Sequence, residues 1–320
     1  MRRTVWSRAA LAGLVSALAL CDCGRSPTSP TTASDASPTL QVLGPQAILV
    51  PGESVQLQAI KYENHGQADR TTFAMWTSSD VSVATVSSTG LVLAVAPGSA
   101  DVSATVDGLT STIGVRVTAS HAPLAGRIGP EVAGDIIAQN QEAGILANPH
   151  RGTIIRFDLP IRVYVEPSFT KAFADCGQRA VKAWQAPTGL PISFIDNNVE
   201  PRVQMIVIPT DDNRARTVTN SVNLDNSIRS VTLIIPASWG PWPGMPGSCP
   251  EPFENTAIHE FGHALGIHGH PDWGGVMAYL PPGVYLGLRR PSEREVRMLV
   301  ELYKLPLGAH LEPDGSWVVR

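Results

Sequence analysis

Long apolar runs, clustered positive charge and spare cysteines are all missing from this sequence. No internal run reaches the ~18 apolar residues that a membrane-crossing helix needs. Lys and Arg total 24 against 28 Asp and Glu, for a net charge of −4, and they form no basic block. A nucleic-acid groove would need such a block, so nucleic acid is not expected as a partner. Of the four cysteines, two fall within the first 23 residues, which leaves only Cys176 and Cys249 in the body of the chain. Charged residues make up just 16% and hydrophobic ones 43%, so the 320 residues can build real cores, about two domains' worth.

What is present begins with an N-terminal leader. Arg2, Arg3 and Arg8 precede a short apolar run over 9–20, the pattern of a signal peptide over 1–23. Ala17-Leu18-Ala19 fits ordinary cleavage. "LALC", ending at Cys21, resembles a bacterial lipobox, although Leu20 departs from the small residue preferred there. Lipid attachment at Cys21 is favoured over free secretion, and it is the only membrane contact expected. Residues 24–38, rich in Ser, Thr and Pro, then read as a surface tether. Either exit puts the chain outside the cell, where a Cys176–Cys249 disulfide can form; two free thiols are the other reading.

Residues 39–118 read as all-β. Val55, Leu57 and Ala59, then Val102, Ala104 and Val106, then Ile113, Val115 and Val117 alternate at period two, with Gly and Ser turns between the runs. Short strands at this spacing predict a small sandwich. The stretch "WTSSDVSVATVSSTGLVLAVAPGSADVSATVDG", from Trp76 to Gly108, resembles the bacterial immunoglobulin-like domains of surface adhesins such as intimin and invasin. That resemblance implies a spacer or binding platform without catalytic residues, and Trp76 reads as core. Residues 119–150 are weakly patterned and read as a linker or pro-segment, with a short helix around "PEVAGDIIAQNQEAGIL". No cysteine lies there to block a metal.

Residues 151–320 mix strands and helices, an α+β domain. "LPIRVYV", "ISFI", "RVQMIVI" and "SVTLIIP" read as strands. Cys176, Ala180 and Trp184 share one face of a helix expected to stop before Pro187. "SEREVRMLVELY" opens with a capping box, Ser292 with Glu295.

Between them lies "HEFGHALGIHGH", residues 259–270. On a helix, His259 and His263 project from one face about 6 Å apart and can reach one metal ion. Zinc takes three protein ligands and keeps a position for water, and Glu260 stands where it can touch that water as a general base. Phe253, Ala257, Phe261 and Leu265 form the opposite, buried stripe.

This motif, with Gly266 and the later "GGVMAY", resembles the metzincin clan of zinc endopeptidases, and "SEREVRMLVELYKLP" is closest to its matrixin branch. Over about residues 155–306 the resemblance implies a twisted mixed sheet, a zinc helix beneath it and a cleft for extended peptides. It implies Zn2+ held by His259 and His263, Glu260 as base, and Met277 as the floor of the site. A protein or peptide substrate and a monomeric chain follow from it; calcium is compatible but not readable. The chain departs from the pattern twice. Position 269 is glycine where the third histidine belongs, and Tyr279 follows the Met-turn as in astacins and serralysins. Tyr279 is read either as a contact to the zinc or oxyanion, or as a residue packed in the loop wall.

Helical geometry favours His270 as the third ligand. If the helix continued, His268 would point away from the metal at ~100° per residue, and His270 would lie about 16 Å along the axis. The chain must therefore turn back at Gly266, a residue suited to the left-handed conformation that closes a helix. His268 follows that turn too soon, whereas His270 follows with Gly269 expected to absorb the extra residue through its free φ. Two rivals remain at this stage: a protease using Glu293 or Glu295 as third ligand, and an adhesin carrying a degenerate metallodomain.

Overall fold

A computed structural model describes residues 20–22, 37–45, 47–63, 66–120, 125–141, 153–167, 171–208, 215–236, 251–279 and 290–319. Most of the expected signal peptide and tether, and Cys249, lie outside these residues. Among the described residues no helix is long and apolar enough to cross a membrane.

The N-terminal module is an all-β, immunoglobulin-like domain. Strands Gly98–Val106 and Leu109–Val117 form its longest hairpin, and Met75–Ser78 pairs with the first of them. The turn places Asp107 and Gly108 at positive φ (50° and 78°), the conformation a tight two-residue hairpin requires. The predicted alternation is the burial pattern: Val102, Ala104, Ile113 and Val115 all face one apolar core. "SVQLQAI" is two strands rather than one. Ser54–Gln56 pairs with Leu91–Ala94, and Gln58–Glu63 pairs with Thr39–Leu43. The break falls at Leu57, which is fully buried. Trp76 packs against the same core and donates from Nε1 to the Thr71 carbonyl at 2.9 Å.

The C-terminal domain is built on a mixed sheet. Besides the short Arg156–Phe157, which pairs with Ser227–Pro236, its strands run in the order Leu20–Asp22, Arg216–Val222, Ser227–Pro236, Arg202–Ile208, Ile161–Val165 and Ile192–Ile195. The last four are parallel neighbours. Arg216–Val222 runs antiparallel to Ser227–Pro236, and Leu20–Asp22 antiparallel to Arg216–Val222. Among the described residues four helices complete the domain: α1 (Pro130–Gln141), α2 (Lys171–Thr188), α3 (Glu251–Leu265) and α4 (Glu293–Lys304). Trp184 of α2 is fully buried and donates from Nε1 to the Ile258 carbonyl of α3 at 2.8 Å, which locks the two helices together. Helix α2 runs through Pro187 to Thr188, past the expected stop. The proline forfeits one i→i−4 bond, and with a single residue after it the disturbance to the helix is confined to its end.

Within the stretch expected as linker or pro-segment, residues 125–141 pack into this domain. Strand Ala125–Arg127 pairs with Ser316–Val319 near the C-terminus. Helix α1 sends Ala133 and Ile136 into the same core as α2, α3 and α4. Asp135 of α1 receives a two-pronged ion pair from Arg294 of α4, at 2.7 and 2.9 Å. Burying these side chains explains why weak patterning still produced a fixed helix: tertiary packing, not intrinsic propensity, supplies most helix stability.

Candidate metal centre

Helix α3 carries the motif and ends as predicted at Gly266. The Ile267 N–H reaches the Gly262 carbonyl and the Gly266 N–H reaches that of His263, both at 3.1 Å. These two bonds define a Schellman cap, with Gly266 at φ 116°. Gly269, expected to absorb the extra residue, is not among the described residues at positive φ. Helix α1 does that work instead. The Gln139 carbonyl accepts from the N–H groups of His268 and Gly269 at 2.8 and 2.9 Å. The buried Asn140 donates to the carbonyls of Ile155 and Gly266 and accepts from the Ile155 N–H, each within 2.8 Å.

Once turned, the chain brings His259, His263 and His270 together, with one ligand atom of each within 4.8 Å of the others. His268 does not join them. It is buried and hydrogen-bonded to the Ile155 backbone. The ring nitrogens of the first two histidines are sorted by backbone. His259 Nδ1 lies 2.8 Å from the Val276 carbonyl and His263 Nδ1 lies 2.6 Å from that of Ile267. A carbonyl can only accept, so each Nδ1 carries the proton and each Nε2 keeps a lone pair.

Burial reinforces this. It pushes His259 down to about 4, against the Val276 hydrogen bond, and holds His263 well below the ordinary imidazole range, helped by His259 and His270. The rings are therefore neutral ligands at pH 7. The two Nε2 atoms stand 3.1 Å apart. Tetrahedral zinc with 2.0–2.1 Å bonds would hold its nitrogens about 3.3 Å apart, so the His259–His263 pair fits that ion in spacing and the three imidazoles fit it in chemistry. His263 is buried, whereas His259 and His270 are partly exposed, so the cluster faces solvent on one side.

Glu260 is fully buried beside the cluster, and the Thr217 hydroxyl lies 2.7 Å from its Oε2 and 2.9 Å from its backbone oxygen. Thr217 sits on Arg216–Val222, a strand absent from the sequence reading. Its inward side chains are Thr217 and Thr219, while Val218 is only half-buried, so the usual apolar alternation is inverted. Consecutive Thr and Val residues, β-branched throughout, were the available signal.

Met277 is fully buried beneath the metal helix. A side chain on Gly262 would meet its Sδ at 2.2 Å, so glycine between the two helical histidines lets the loop approach. The Met277 N–H donates to Glu295 Oε1 at 2.7 Å, and Glu295 Oε2 accepts from the Ser292 N–H in the predicted capping box. Both oxygens are thus committed to the backbone, and Glu293 is exposed on α4, so neither glutamate serves as the third ligand considered from sequence. Tyr279 is 51% exposed, its ring centre 6.0 Å from that of His270, so it stands at the mouth rather than in a packed wall. Cys176 is buried and disulfide-bonded, while Cys249 lies outside the described residues. Cys21, the expected lipidation site, lies in Leu20–Asp22 with its Cα opposite Thr217, on the outer edge of the strand beside the cluster.

Comparisons with known proteins bear on the other half of the chain. The crystal structure of an intimin mutant from EHEC O157:H7 is similar at 18% identity and a TM-score of 0.20, over 29% of this chain and 51% of that one. The chain thus spans about half the length of that structure. No curated protein matches the sequence. Residues 26–115 match the model of the bacterial Ig-like domain (group 2), a module typical of bacterial surface and extracellular proteins.

Proposed function

We propose that the chain is a secreted or surface-anchored zinc-dependent endopeptidase of the metzincin type, closest to matrixins, carried behind an immunoglobulin-like module. One observation carries this reading: three histidines bring their ligand atoms within 4.8 Å of one another, and the residue between the first two in the motif is a buried glutamate. His259, His263 and His270 would hold the zinc, which when bound supplies a polarised water and a Lewis acid for the scissile carbonyl. Glu260 takes the proton of the attacking water and passes it to the leaving amine. The Thr217 hydroxyl fixes the carboxylate, so Glu260 enters the reaction already oriented. Met277 and Trp184 pack around Gly262 and keep the metal helix from shifting.

The substrate is an extended protein segment. Support comes from the edge strand Arg216–Val222, which lies beside Glu260 and accepts an antiparallel partner along its outer side, here the chain's own Leu20–Asp22. The purified protein is expected to hold about one zinc per chain and to cleave casein, with chelation abolishing cleavage and added zinc restoring it. A surface binder with a degenerate metallodomain would leave casein intact whatever its metal content.

A further inference from the structure

The hairpin that carries the cleft strand ends inside the other domain. Between Arg216–Val222 and Ser227–Pro236 the chain turns through 223–226, with Asn226 at φ 62°. Leu224, at the tip, is 2% exposed and belongs to the apolar core of the immunoglobulin-like module rather than to its own domain. Its backbone is bound there as well. The Leu224 N–H donates to the Gly114 carbonyl at 3.2 Å, and its carbonyl accepts from the Ala47 N–H at 2.9 Å. Asn223 Oδ1 accepts from the Gly114 N–H at 2.7 Å. Any side chain at 114 would collide with Asn223, its Cβ falling 2.6 Å from Oδ1, so the module is built with glycine where the tip enters.

Charge closes the joint on both sides. Arg116 of the module donates to the buried Asp225 at 2.7 Å. Arg229, on the returning strand and itself buried, makes a two-pronged pair with the module's Asp101 at 2.7 and 2.9 Å. In each pair one partner is buried and the other partly exposed, so the pairs add little net stability, but the two-pronged Arg229–Asp101 fork fixes geometry across the joint.

We infer that the immunoglobulin-like module is a clamp on the cleft hairpin, and that it positions the strand bearing Thr217 against Glu260. Thr217 lies seven residues from Leu224, roughly 23 Å along an extended strand. Ser227–Pro236 is held in the sheet interior by Arg202–Ile208, whereas among the described residues the strand on the outer edge of Arg216–Val222 is the three-residue Leu20–Asp22. A strand so placed bends easily unless its far end is anchored, and Leu224 anchors it. The module is thereby a positioning element, not a spacer. What the strand positions rests on the peptidase reading; how it is held does not.

Two full-chain variants test this from opposite sides: Leu224→Asp withdraws the plug, and Gly114→Val blocks its socket while leaving every residue of the metal domain native. Both should retain zinc. In both, amide hydrogen exchange over 216–222 should rise at least tenfold, and casein cleavage efficiency should fall about tenfold, the scale expected for a slight misplacement near the reacting groups. Unchanged exchange in the two variants would overturn the clamp, and faster exchange with undiminished cleavage would overturn its positioning role. If the wild-type chain cleaves nothing, the peptidase reading fails by itself, and the exchange measurement still decides whether the module holds the strand.

Discussion

The two halves of the molecule bury different kinds of groups. Among the described residues of the immunoglobulin-like module, only Lys61 and Thr71 are both polar and buried, and its core is otherwise aliphatic. The C-terminal domain buries Asp135, Asn140, Thr217, Glu260, His263 and Glu295 alongside its apolar core. A buried polar group costs free energy unless it is hydrogen-bonded, so each of these has to be matched by a partner at a fixed place. In the module the core requires only shape; in the metal domain it also requires correct pairing. That difference accounts for where change should be tolerated and where it should not.

The largest effect is expected at His270. His270→Ala should release the zinc and abolish casein cleavage, since two histidines and water seldom make a zinc site. Metal analysis of the dialysed variant checks this; full zinc occupancy would remove His270 from the site.

An intermediate effect is expected at Asn140, whose hydrogen bonds go to the Ile155 and Gly266 backbone. Asn140→Ala leaves two carbonyls and one N–H of the 266 turn and the 155 backbone without their partner. It should lower stability by about 1–3 kcal/mol in denaturant titration. A removable pro-segment would show no such dependence, so an unchanged midpoint would restore that reading of 119–150.

The smallest effect is expected at His268. His268→Ala should keep most of the zinc and most of the cleavage, because that ring lies outside the cluster, and lose the packing of one buried side chain and its hydrogen bond to the Ile155 backbone. Similar zinc loss in His268→Ala and His270→Ala would blur the distinction between them.

These contrasts also mark what the sequence could reveal. In the module, period-two alternation at Val102, Ala104, Ile113 and Val115 was enough, because one face is buried throughout. In the metal domain, the spacing of His259, Glu260 and His263 and the need for a turn at Gly266 pointed to the cluster, since they depend on local helix geometry. Thr217, Gln139 and Asn140 were illegible. Each acts across a long sequence separation, 43 residues between Thr217 and Glu260 and 126 between Asn140 and Gly266. No local period encodes such pairings. Helix α1 was legible as a short helix but not as part of the domain, for the same reason: its partners, α4 and the 266–269 turn, come more than 100 residues later. Glu295 was legible as a cap but not as the anchor of Met277, because the second task uses an oxygen the capping motif leaves unspecified.

The most direct test separates the proposed role of Glu260 from that of the three histidines. Glu260→Gln preserves size and leaves the three histidines untouched. The account predicts that the variant holds as much zinc per chain as wild type while its casein cleavage falls about 10²–10⁴-fold, the usual contribution of a general base. Cleavage within a few-fold of wild type at equal zinc content would contradict it.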